Sequence, residues 1–63
     1  MSVLNYLFWV QKLIANSEPD KQSANYQQWF GDTGRISNAI TDYTCGNRSG
    51  ALRIAEELAE HYG

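Results

Sequence analysis

The stretch NYLFWVQKLI, from Asn5 to Ile14, constrains this 63-residue chain more than any other segment, because no comparable apolar run follows it. A strand reading fails, since Asn5, Gln11 and Lys12 do not alternate with the apolar residues. The helix formers Leu4, Leu7, Gln11, Lys12 and Leu13 outweigh the β-branched Val3, Val10 and Ile14, and Ser2 is placed to cap the first turn. The run is therefore expected to be a helix over residues 2–15. It is too short for a membrane span of about 20 apolar residues. With no basic stretch before it, Gln11 and Lys12 within it and no small-residue cleavage site after it, it does not read as a signal peptide either. The expected location is the cytoplasm.

A helical wheel at about 100° per residue shows what is unusual about this helix. Asn5, Lys12 and Asn16 share one narrow wedge, with Trp9 at its edge. Apolar residues fill most of the remaining arc, roughly 200° against the ~100° stripe of a helix packed on one side only. Two arrangements account for this. Either the helix is the hydrophobic centre and the rest of the chain wraps it, or one side is covered by another chain.

Length bears on that choice. A chain this short buries only about 60 % of the surface its unfolded form exposes, so its core is marginal. The common remedies are a disulfide, a metal or a partner. Cys45 is the only cysteine and His61 the only histidine, so neither an internal disulfide nor a four-ligand zinc site is available. An efficient helical core or oligomerisation remains, and oligomerisation carries the larger weight. Five Lys and Arg against seven Asp and Glu give a net charge of −2, which supplies neither a basic footprint for nucleic acid nor the dense anionic surface of a DNA mimic.

Three more helices are expected from the remaining sequence. Ser17-Glu18-Pro19-Asp20 has the form of an N-terminal cap with Pro in the first turn, and predicts a helix over 18–30 stopped by Gly31. Gly31-Asp32-Thr33-Gly34 reads as a turn, with Asp32 or Thr33 capping a helix over 34–45 whose stripe is Ile36, Ala39, Ile40 and Tyr43. Gly46 ends that helix, and Ser49 is a cap for a helix over 50–62. There Ala51, Leu52, Ile54, Ala55, Leu58, Ala59 and Tyr62 form one side, opposite Arg53, Glu56, Glu57 and Glu60. The expected fold is all-α, one domain over 1–63: a compact small bundle of four short helices with the first as hydrophobic centre or interface.

No motif carries evident chemistry. Gly46-Asn47-Arg48-Ser49-Gly50 resembles an anion cradle but lacks the Lys-Ser/Thr of a P-loop and a preceding strand, so it reads as a helix–helix turn. Asp32-Thr33-Gly34 matches a tripeptide of aspartic proteases, whose site depends on a β-rich fold and paired carboxylates. His61 has no nucleophile at dyad spacing, Glu56, Glu57 and Glu60 form a solvated face, and Cys45 reads as a small buried hydrophobe. No catalytic residue, metal ligand, cofactor or small-molecule substrate is assigned.

The aromatic residues are the more informative set, because Trp and Tyr are enriched at interface hot spots. The candidate protein interface is Tyr6, Leu7, Trp9, Val10, Gln11, Leu13 and Trp29, with Trp9 at its rim and Gln11 a possible polar contact across a two-fold axis. The expected function is a non-enzymatic interaction or regulatory protein, acting as a homodimer or by docking on a larger protein. By composition it is akin to small phage and mobile-element accessory proteins. The alternative is a helix-turn-helix DNA-binding regulator built on the third and fourth helices. Against it stand Glu56, Glu57 and Glu60 on the would-be recognition helix, since phosphate contacts dominate such binding.

Overall fold

The computed structural model describes residues 2–63. It contains three helices: α1, Val3–Ala15; α2, Tyr26–Thr44; and α3, Arg48–Tyr62. The fold is all-helical, and the expectation of four helices is wrong in a specific way. Residues 17–25 form a connector, and the two middle helices are replaced by one that runs through Gly31 and Gly34 without interruption.

The reason lies in what each segment can bury. Asp20 to Asn25 is polar apart from Ala24, so a helix there would have nothing to pack against the rest of the chain, and propensity alone does not sustain a short helix. Its polar groups instead form local turns. The Asp20 carboxylate accepts the Gln22 N–H at 3.0 Å, the Asp20 carbonyl accepts the Ser23 N–H at 2.8 Å, and the Ser23 hydroxyl donates to the Asn25 side chain. Ser17, expected as a cap, donates its hydroxyl back to the Leu13 carbonyl at 2.9 Å. Across Gly31 and Gly34 the balance reverses. Trp29, Asp32, Ile36, Ala39 and Tyr43 recur every three or four residues as one inward stripe on both sides of the glycines. A helical Gly costs about 1 kcal/mol against Ala, and burial of that stripe outweighs two of them. Neither glycine adopts a positive φ, whereas Gly46 does, at 108°.

The ends of the helices follow local chemistry closely. Ser2 Oγ accepts the Asn5 N–H at 3.2 Å, as its position suggests. Gly46 ends α2 in a paired closing motif: its N–H donates to the Tyr43 carbonyl at 3.2 Å and that of Asn47 to the Asp42 carbonyl at 2.8 Å. Asn47, rather than Ser49, caps α3, accepting the Gly50 N–H at 3.3 Å. Cys45, expected to be buried, is exposed at the end of α2.

All three helices supply the core: Leu7, Val10 and Ile14 from α1, Ile36 and Ala39 from α2, and Ala51, Ala55 and Leu58 from α3. The most extensive packing joins α2 and α3, where the small Ala39, Ala51 and Ala55 let the backbones approach. From α1 come three of the four largest fully buried side chains, Leu7, Ile14 and Val10. It lies against α2 and α3, burying Leu7, Val10 and Ile14 and partly covering Leu4, Tyr6 and Leu13, while Val3, Phe8 and Trp9 stay exposed. None of the helices is long and apolar enough to cross a membrane.

Candidate interaction face

The C-terminal half of α1 lies against the N-terminal half of α2. Trp29 sets this approach, because its indole N–H donates to the Ile14 carbonyl at 2.8 Å. That carbonyl belongs to the last turn of α1, whose C=O groups lack helical partners, and it also accepts the Ser17 N–H at 3.0 Å. The bond gives the polar end of a half-buried Trp a partner within the chain.

Between the two helices runs a shallow cleft of about 360 Å³. Gln11 and Ala15 of α1 form one wall, and Tyr26, Phe30 and Thr33 of α2 the other. Trp29 and Ile36 line it as well, with Glu18 on the connector. A second depression opens on the far side of Tyr26 and Phe30, bounded by Lys21, Ala24, Gln27 and Gly31. The two aromatic rings therefore stand as a ridge between two hollows, and Phe30 is 65 % exposed.

Helical spacing extends the cleft into a longer face. Leu4, Phe8, Gln11 and Ala15 follow one another at intervals of four, three and four along α1, and so share a stripe. Tyr26, Phe30, Thr33 and Ser37 do the same on α2. None of these eight side chains is charged. Lys12, about 40° round the helix from Phe8, and Glu18 and Lys21 on the connector stand at the margin. The other ionisable groups of α2 and α3 lie off this stripe.

The seven residues expected at an interface separate into three groups. Leu7 and Val10 are fully buried in the core and present no surface, which corrects their assignment: they occupy the centre of the one stripe of α1 that faces α2 and α3. Tyr6, Leu13 and Trp29 are half-buried, and Trp29 spends its indole N–H within the chain. Trp9 and Gln11 are exposed, Trp9 at 53 % and stacked on Tyr6 with ring centroids 5.9 Å apart. Gln11 lies in the cleft, while Trp9 lies about 100° round the helix from Phe8, off the eight-residue stripe. Phe8, 48 % exposed, and Phe30 are absent from those seven yet are among the most exposed large apolar residues.

The structure also assembles a polar cluster that no sequence pattern announced. Asp32, expected in a turn, is buried at 6 % exposure and accepts the Tyr62 hydroxyl at 2.6 Å across α2 and α3. Arg35 lies 3.6 Å from the other oxygen of Asp32 and 3.4 Å from Glu57, which in turn pairs with Arg53 at 3.6 Å. Burial, then the hydrogen bond and charge of Asp32, push the Tyr62 phenol up to about 12 from 10.0. Tyr62 and Asp32 are each other's partners and Arg35 is half-exposed, so the cluster closes on itself as a clasp between two helices. The Gly46–Gly50 segment is equally self-contained: Asn47 caps the helix and Arg48 sits over the Tyr43 ring, 5.6 Å from its centroid. No protein-family model, curated protein or solved structure matches the chain significantly.

Proposed function

We propose that this chain is a small interaction protein that works by protein–protein contact through α1 and the aromatic residues beside it, as a regulatory or accessory component. One observation carries the reading. Three large aromatic side chains, Phe8, Trp9 and Phe30, are each about half or more exposed on α1 and the adjoining part of α2. Exposed aromatic surface of this kind, on a chain with only eight buried apolar residues among those described, costs stability that the fold can ill spare. Phe8 and Phe30 lie on the stripes beside the α1–α2 cleft, and exposed aromatic residues placed together in this way mark contact surfaces.

The reading is tested by photo-crosslinking in host extract, with benzoylphenylalanine replacing Phe8 in one sample and Glu56, on the outer side of α3, in another. Discrete adducts are expected from position 8 and to weaken with Phe30→Glu. Identical adduct patterns from positions 8 and 56 would remove the reading.

A further inference from the structure

We infer that the cleft between α1 and α2 receives an arginine side chain of the protein this chain contacts, with the guanidinium against the aromatic wall and its N–H groups turned to Glu18. The inference rests on the interaction reading above and names the chemistry of what the cleft takes.

The wall comes from α2. Tyr26, Trp29 and Phe30 fall at i, i+3 and i+4, and so share one face beside the cleft. The Tyr26 and Trp29 rings stand with centroids 5.4 Å apart and planes tilted by 38°. Aromatic rings attract cations through their quadrupole, arginine more often than lysine. They also suit an apolar occupant, so the polar groups of the cleft decide between the two.

Those groups are short of donors. The Trp29 N–H is spent on the Ile14 carbonyl at 2.8 Å, and the Thr33 hydroxyl donates to the Phe30 carbonyl at 2.6 Å. Thr33 keeps only the lone pairs of its oxygen, and a carboxylate such as that of Glu18 only accepts. Gln11 and Tyr26 supply groups of either kind. An apolar occupant would strip water from these oxygens and return no hydrogen bond. A guanidinium brings five donors in one plane and no acceptor, which fits a cleft with a flat aromatic side and a surplus of acceptors.

Charge points the same way. Glu18 is the only charged residue lining the cleft. It takes part in none of the ion pairs among the described residues, which join Arg35 to Asp32 and Glu57, and Arg53 to Glu57. Lys21 bounds the other hollow, beyond Tyr26 and Phe30, and Lys12 lies about 100° round α1 from Gln11. The negative end of the α1 dipole reaches the cleft at Ala15 and the positive end of α2 reaches it at Tyr26, so the two offset each other. The Glu18 carboxylate is left as the deciding charge. At about 360 Å³ the cleft is at the small end of the ~300–1,000 Å³ of ligand pockets, room for one long side chain rather than a helix.

NMR titration of the isotope-labelled chain with the peptide acetyl-Gly-Arg-Gly-amide tests this, with circular dichroism as the check on folding. The peptide is expected to shift the Trp29 indole N–H, the Gln11 side-chain amide and Thr33 at millimolar concentration, and to leave the Trp9 indole unmoved. Citrulline in place of arginine keeps the planar shape without the charge, and is expected to weaken binding about tenfold. Glu18→Gln is expected to weaken it about threefold, and Phe30→Ala about threefold to tenfold. Both residues are exposed, so neither change disturbs the core. No shift at tens of millimolar peptide overturns the inference. So does equal binding of the citrulline peptide or of a lysine peptide, or arginine binding that Glu18→Gln and Phe30→Ala both leave unchanged. If the peptide fails while position 8 still gives adducts in the crosslinking experiment, the arginine assignment falls and the interaction reading stands. If those adducts are absent too, both fall.

Discussion

The Tyr62 hydroxyl, one residue from the end of the sequence, donates a 2.6 Å hydrogen bond to the buried Asp32 carboxylate near the middle of α2. This clasp fastens the last turn of α3, which would otherwise fray as helix ends do. A hydrogen bond to a charged acceptor contributes about 1.5–3 kcal/mol. Tyr62→Phe is therefore expected to lower the free energy of unfolding by about 1.5 kcal/mol, because Arg35 stays beside Asp32. Urea denaturation measures it, and a change no larger than that of an exposed substitution would contradict the clasp.

The same bond makes stability depend on alkaline pH. Tyr62 holds its proton to about 12 when folded, against 10.0 as the ordinary value, so the folded state binds that proton more tightly. Its contribution is complete below pH 10 and disappears as pH rises through about 12. The stability difference between wild type and Tyr62→Phe is expected to shrink across that window. Absorbance titration should also show one phenol ionising near 12 in the wild type and not in Tyr62→Phe.

Trp29 supplies the second long-range bond. Trp29→Phe keeps most of the ring packing but removes the N–H from the Ile14 carbonyl, with an expected loss of about 1 kcal/mol. Hydrogen exchange at the α1–connector junction should quicken. Because Trp9 is then the only tryptophan left, fluorescence should shift to that of a solvent-exposed indole.

The glycines of α2 allow stabilisation. A Cβ at Gly31 or Gly34 meets no atom within 4 Å, and both lie within a helix. Gly31→Ala and Gly34→Ala are each expected to raise stability by about 0.5–1 kcal/mol. Gly46→Ala should do the opposite, since its φ of 108° strains any other L-residue. A destabilising Gly34→Ala would mean that α2 breaks there after all.

Core and surface positions of α1 should differ sharply. Leu7→Ala removes a fully buried side chain and is expected to cost about 2–5 kcal/mol, enough to unfold so small a chain. Trp9→Ala, on the exposed side, is expected to change stability of the isolated chain by about 0.5 kcal/mol or less. Thermal unfolding separates the two.

How much of this was legible depends on how local each signal is. Ser2 caps α1 and Gly46 closes α2, as their chemistry within a few residues indicates. The stripe Ile36, Ala39, Ile40, Tyr43 and the apolar side of α3 were readable from spacing alone. Ser17 misled, because the capping pattern was present but the residues after it had nothing to bury. Gly31 misled in the other direction, because a glycine ends a helix only when no packing gain lies beyond it. Of the residues assigned to an interface, Gln11 and Trp29 line the cleft between α1 and α2 while Leu7 and Val10 are buried, and Phe8 and Phe30, exposed beside it, were left out of that assignment. A wheel drawn for one helix shows how wide its apolar arc is, but not which part the other helices will cover.

By itself, the amino-acid sequence determined that the chain is helical, where α1 and α3 begin and end to within a residue or two, and that α1 carries more apolar surface than a helix packed on one side needs. Those properties follow from propensity, capping and periodicity, which act over one or two turns. Tertiary structure alone decided that α2 runs through two glycines, that Asp32 is buried under Tyr62, and that Phe8, Trp9 and Phe30 stay exposed. Each of these is set by free energy gained between residues far apart in the chain, where burial of a shared stripe overrides local preference and whatever that burial does not reach is left facing outward.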